Sequence, residues 1–224
     1  AGGMGLTLEV CVDTFAGLAE AVAGGADRVE LCQALALGGL TPSAGMMREA
    51  AGCGVPVMAM IRPRAGDFVW SEAEVRAMEA EIAAARQAGL AGVVLGASLP
   101  DGRLDGPVLR RLVAAAGGRF PFGNRDGART GSGPEFGRIP GAADLTLHRC
   151  FDLVPDMGEA LEQAVELGFS RVLTSGGART AAEGAARIGA LVRQAAGRIG
   201  VMAGAGVTAE TAPVLLAVGV TELH

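Results

Sequence analysis

The chain has 224 residues, half of them hydrophobic, with 24 acidic against 19 basic side chains and a formal charge of −5. That balance excludes the basic surface a nucleic acid or an anionic membrane would need, and no apolar run approaches the ~20 residues of a membrane span. The opening "AGGMGLTLEV" lacks the basic start and apolar core of a signal peptide, so a cytoplasmic location is expected.

In chain order, short β-branched apolar runs alternate with longer amphipathic ones. Strands are predicted near 6–12, 27–32, 55–61, 92–96, 144–148, 171–175, 199–203 and 220–224, and helices near 14–24, 42–52, 71–88, 104–116, 156–168, 180–196 and 208–218. A register runs through the repeats: Gly25, Gly89, Gly168 and Gly219 each stand four residues before the first apolar residue of a strand. Glycine just past a helix end closes the last turn in the left-handed region, and a short loop then enters the next strand. Eight such units predict an α/β TIM-type (β/α)8 barrel as a single domain over 1–224, with the last helix absent from this chain. A Rossmann-like sheet is the alternative, but no G-x-G-x-x-G follows the first strand; "AGAGVT" at 203–208 follows a late one. The stretch 117–143, rich in Gly, Pro and Arg, breaks the rhythm and reads as a solvated insertion rather than a binding loop.

In this architecture chemistry belongs to the C-terminal ends of the strands. Alternation puts Glu9 with Cys11, and Glu30 with Cys32, facing the barrel interior, while Leu8, Val10, Val29 and Leu31 should pack on the helices. The glycine register aligns His224 with Glu30 and Ser175 with Cys32, which brings them to the same mouth. Strand three offers Met58, Met60 and Arg62, and strand five ends in "LHRCFD" with His148, Arg149 and Asp152. The turns carrying Ser175, Gly176 and Gly177, and Gly204 and Gly206, could present backbone N–H groups to an anion, though glycine there also serves tight turning alone. A buried glutamate needs a partner, and Arg62 and Arg149 are the available ones; a structural ion network filling the barrel is the rival explanation.

The four cysteines, Cys11, Cys32, Cys53 and Cys150, form no CxxC and read as reduced thiols, mostly small buried hydrophobes, with Cys53 structural. Thiols at similar height on adjacent strands, Cys11 and Cys32, could bracket a soft ion such as Cu(I); the spacing matches no zinc site.

Taken together, "LEVCVDT", "AGGADRVELCQALALGGLTPSAG", "VPVMAMIRPRAGDFVWSEAE", "LHRCFD", "LGFSRVLTSGGA" and "GVTELH" resemble the CutC family of copper homeostasis proteins over nearly the whole chain. The resemblance implies a TIM-barrel-like fold, a cytoplasmic protein, self-association as a dimer or tetramer, and copper handling, with Cu(I) held by the cysteines that Cys11 and Cys32 match. No organic cofactor is expected. The sequence departs from the family at the long 117–143 segment and at Cys150, which stands where alanine is usual and adds a thiol near the mouth. It also stops at His224, where family members continue.

Two functions follow. One is a copper homeostasis protein with Cys11 and Cys32 as thiolate ligands and a methionine or histidine as the candidate assisting ligand. The alternative is an enzyme of unknown reaction on a small anionic or sugar-like metabolite. There Glu9, Glu30, His148 and Asp152 would be the acid–base groups, and Arg62, Arg149, Ser175, Gly176, Gly177, Gly204, Gly206 and His224 would bind substrate.

Overall fold

The computed structural model describes residues 5–117 and 143–224, and the body of the predicted insertion lies outside them. Eight parallel strands close into one barrel in sequence order: β1 (Thr7–Val12), β2 (Arg28–Leu31), β3 (Val57–Met60), β4 (Gly92–Leu95), β5 (Asp144–Leu147), β6 (Arg171–Thr174), β7 (Gly200–Ala203) and β8 (Glu222–Leu223). Among the described residues seven α-helices surround it: α1 (Phe15–Ala23), α2 (Ala44–Ala50), α3 (Glu72–Gln87), α4 (Gly106–Ala115), α5 (Met157–Leu167), α6 (Ala185–Ala195) and α7 (Ala212–Ala217). The TIM-type fold is therefore as read from the sequence. Among the described residues no helix is long and apolar enough to cross a membrane.

The glycine register has the expected physical cause. Gly25, Gly89, Gly168 and Gly219 all take φ between +80° and +97°, a region that costs an L-residue with a Cβ dearly. Helix starts are equally explicit: Ser71 caps α3 in a capping box with Glu74, and Asp156 caps α5. Two helices begin later than predicted. α6 opens at Ala185 rather than near 180, because the chain after β6 first folds back so closely that a Cβ on Gly184 would lie 1.8 Å from the Ser175 carbonyl oxygen. α7 opens at Ala212, after Thr208 and Thr211 cap one another and with Pro213 in the first turn.

The outward residues Val29, Leu31, Val93, Leu145, Leu147 and Val172 are buried against the helix layer and form the main core. Leu8 departs from the expectation that it packs on helices: it is 40% exposed on the outer face of β1, level with Leu223 of β8. The inward residues are of another kind. Cys32, Met58, Met60 and Val94 pack as a small apolar cluster inside the barrel, roofed by Leu35 of the β2–α2 loop. The rest of the interior is dominated by charged side chains, with Met202 and Thr146 among them.

Candidate functional site

Parallel pairing puts partner side chains on the same face, and the register sets Glu9 beside Arg28, Cys11 beside Glu30, and Glu30 beside Met58. The deeper half of the interior is an ion chain. Arg28 donates to Glu9 Oε2 and to Glu222 Oε2, and its Nη2 lies 3.4 Å from the Met202 sulfur. Arg171 donates to the same Glu222 oxygen at 2.9 Å, to Thr146 Oγ1 at 2.9 Å and to Asp144 Oδ2 at 2.8 Å. All of these side chains are largely or wholly buried, so the pairing offsets a large desolvation cost.

This corrects the expectation about partners: Glu9 is held by Arg28 and neighboured by His224, not by Arg62 or Arg149. Arg28 and Glu222 did not figure among the sequence candidates. The signal was present, since Arg28 alternates with Glu30 on one strand and Glu222 with His224 on another, which is the same inward parity.

Above the ion chain lies a trio. His224 Nε2 stands 3.3 Å from Glu30 Oε1 and 3.6 Å from Glu9 Oε1, and the Cys32 thiol lies 3.5 Å from Glu30 Oε1. The imidazole nitrogen is at ion-pair distance from both carboxylates without aiming its N–H along either line, and it has no hydrogen-bond partner. Glu9 Oε1 and Glu30 Oε2 are buried and unpaired as well. Burial alone would lower the His224 pKa, but the two glutamates raise it to about 9. Burial would likewise raise Glu30, and the adjacent His224 charge, with the Cys32 thiol, carries it below the ordinary carboxylate value. Glu9 goes the other way: burial and the Glu30 charge lift it, against the pull of Arg28. At neutral pH Glu30 and His224 are thus an ion pair, and Glu9 is the carboxyl that more readily holds a proton.

His148 closes the mouth on the β5 side. Its Nδ1 accepts the Cys150 backbone N–H at 3.1 Å, which leaves the ring proton on Nε2, and that N–H is buried and unpaired. Burial and the nearby Arg62 charge drop its pKa to about 4. At pH 7 it is therefore neutral, with the Nε2–H as a donor. Its ring fits only because residue 96 is glycine: a Cβ there would lie 2.3 Å from His148 Cε1 and 2.5 Å from the Cys150 sulfur. Phe68 leans on the imidazole at 4.7 Å, and Arg62 stacks over Phe68 at 5.1 Å.

Several predicted binding residues serve the protein itself. Arg62 spends Nη1 on the Leu37 and Gly39 carbonyls and one N–H of Nη2 on Gly66, so it clamps the β2–α2 loop, while its buried Nε has no partner. Asp152 is fully engaged: its carboxylate accepts from Arg149 Nε at 2.7 Å, Thr174 Oγ1 at 2.5 Å, Ser175 N at 3.1 Å, Ser175 Oγ at 3.0 Å and Gly177 N at 3.3 Å. Arg149 Nη2 also reaches Ser175 Oγ at 3.1 Å. The N–H of Gly176 goes to Thr174 Oγ1 and that of Gly204 to the Thr174 carbonyl. The turn after β6 is an anion nest, and the anion it holds is the chain's own Asp152. Gly206, with φ +63°, packs against Thr180.

The thiols need correction too. Cys11 is level with Glu30, so Cys32 stands two residues, about 6.6 Å, further along its strand rather than at the same height. Burial and the adjacent Glu30 charge push both thiols up, away from the thiolate. Cys150 is buried with its pKa pushed up to about 12 by burial, an inert filler beside Gly96, and Cys53 is a half-buried thiol near the Val55 carbonyl.

The CutC family profile matches residues 6–121 and 139–224. A family protein CutC of Rhizobium meliloti (strain 1021) is 52% identical over 220 residues, covering 98% of this chain and 80% of the relative, and one from Caulobacter vibrioides (strain NA1000 / CB15N) is 52% identical over 218 residues, covering 97% and 79%. Among solved structures, the "Putative Copper Homeostasis Protein CutC" of Streptococcus agalactiae superposes with a TM-score of 0.83 at 32% identity, over 98% of this chain and 97% of that one. An aldolase, QR15, superposes with a TM-score of 0.65 at 13% identity over 98% of this chain and 89% of that one, which shows a shared barrel and no more. On the profile match and the full-length identity, the chain belongs to the CutC family.

Proposed function

We propose that this chain handles a metal ion at the mouth of its barrel, copper being the metal named in the description of the streptococcal relative. The observation that carries the reading is the sulfur lining: Cys32, Met58 and Met60 pack in one cluster inside the barrel, with Cys11 on the adjacent strand. Thiol and thioether donors select Cu(I), which accepts few, soft ligands. Because both thiols are held protonated, loading must release protons and weaken as pH falls. The test is a Cu(I) titration under reducing conditions against a chromophoric chelator. Uptake of one equivalent that disappears in the Cys11→Ser/Cys32→Ser double variant supports the reading; uptake unchanged by that variant removes it.

A second reading, an enzyme on a small oxygen-rich metabolite, draws on a different observation. The N–H groups of His148 Nε2 and Arg62 Nε are buried and unpaired, as is the acceptor Glu30 Oε2. Two donors suit a carbonyl or oxyanion, and a carboxylate beside them can exchange a proton with the same molecule. The commitment of Asp152, Arg149 and the glycine turns to the protein's own contacts leaves this reading fewer groups than the sequence offered. A thermal-shift screen of small carboxylates and sugar phosphates tests it, with His148→Asn as the control that should abolish any hit.

A further inference from the structure

We infer that Glu9, Glu30 and His224 form a seat for a first-row divalent cation, chemically distinct from a cysteine site for Cu(I). Each offers one ligand atom, and the three atoms lie within 4.8 Å of one another. With metal–ligand bonds near 2.1 Å, ligand atoms sit about 3.0 Å apart at octahedral and about 3.4 Å apart at tetrahedral angles. The two distances from His224 Nε2, 3.3 and 3.6 Å, are already close to those edges.

Three further features support the assignment. Glu9 Oε1 and His224 Nε2 are buried without a hydrogen-bond partner among the described residues, and the donor on Glu30 Oε1 there is the weak Cys32 thiol. Glu9 is oriented from behind, because Arg28 binds its other oxygen and is itself tied through Glu222 to Arg171; ligating carboxylates are normally fixed in this way. Outside the trio, the buried Nε2–H of His148 also has no partner and is a free donor for a water or ligand oxygen at the mouth. Two carboxylate oxygens and one imidazole nitrogen suit Zn2+, Mn2+ or Fe2+ and are too hard for Cu(I). The other occupant would be a proton alone, holding His224 between the glutamates as an ion pair.

Isothermal titration of the purified, metal-stripped protein with Zn2+, and visible absorption on adding Co2+, decide between them. One Zn2+ per chain is expected, weakened at least about tenfold in Glu9→Gln and in Glu30→Gln. The Co2+ spectrum of the unaltered protein should show ligand-field bands without a sulfur-to-cobalt charge-transfer band, a readout that needs no variant to fold. Failure of the unaltered protein to take up either ion, undiminished binding in both glutamine variants, or a strong sulfur charge-transfer band would overturn the inference. Because the Cu(I) proposal is read through the cysteine variant and this one through the glutamine variants, either can fail while the other stands.

Discussion

Replacing His148 with asparagine isolates what it costs to bury a neutral imidazole at the barrel mouth. The ring has an ordinary pKa of 6.5 and is held at about 4 in the folded chain by burial and by Arg62. A folded-state pKa below the unfolded one means that the unfolded chain takes up the proton first. The stability due to His148 is therefore intact above about pH 6.5 and drains away as pH falls towards 4. The gap of about 2.5 units corresponds to about 3 kcal/mol when fully expressed, and about 2 kcal/mol of it is already lost between pH 7 and pH 5. Asparagine places an oxygen near the Nδ1 position, so it can still accept the Cys150 N–H, but it cannot titrate. Urea unfolding at pH 7 and pH 5 should show the unaltered protein losing about 2 kcal/mol more than the variant, since every other titrating group is common to both. Equal losses, or a histidine proton resonance in the folded protein titrating near 6.5 and assigned to His148, would refute the picture of a neutral donor.

Other substitutions report on the supporting structure. Arg28→Met leaves Glu9 and Glu222 without their shared cation in a buried setting and should cost about 3–5 kcal/mol in chemical denaturation, with part recovered by adding Glu9→Gln. Asp152→Asn turns one of the oxygens that now accept from Arg149, Thr174, Ser175 and Gly177 into a donor; a loss of about 2–3 kcal/mol is expected, with faster amide exchange at 175–177. Gly96→Ala drives a methyl to within 2.3 Å of the His148 ring and should lower the melting temperature by several degrees while displacing the imidazole, visible as a shifted histidine resonance.

What could be read before any coordinates follows from which interactions are local. The barrel was legible because glycine at positive φ, helix caps and two-residue alternation are all decided within a few residues of sequence. The same alternation correctly turned Glu9, Glu30 and Cys32 inward, and the repeat register that aligned His224 with Glu30 brought together two side chains that end 3.3 Å apart. Pairing was not legible, because it depends on the stagger between strands. That stagger set Arg28 against Glu9 and lifted Cys32 above Cys11. Nor could the sequence reveal that Asp152 reaches across to fill the N–H nest of the β6 turn, or that Arg62 spends its guanidinium on loop carbonyls. Both residues looked like ligand binders because they are polar groups at strand ends, and polarity there does not distinguish a group satisfied by its own chain from one still open. Burial without a partner does. By that measure, among the described residues, the mouth contracts to Glu9, Glu30, His224 and His148, with Arg62 contributing its Nε–H and the Ser98 hydroxyl also unpartnered. The negative members of that set outnumber what His224 alone can balance once Arg28 is shared with Glu222. A proton on Glu9, which burial and the Glu30 charge favour, completes it in one way, and the divalent cation inferred above in the other.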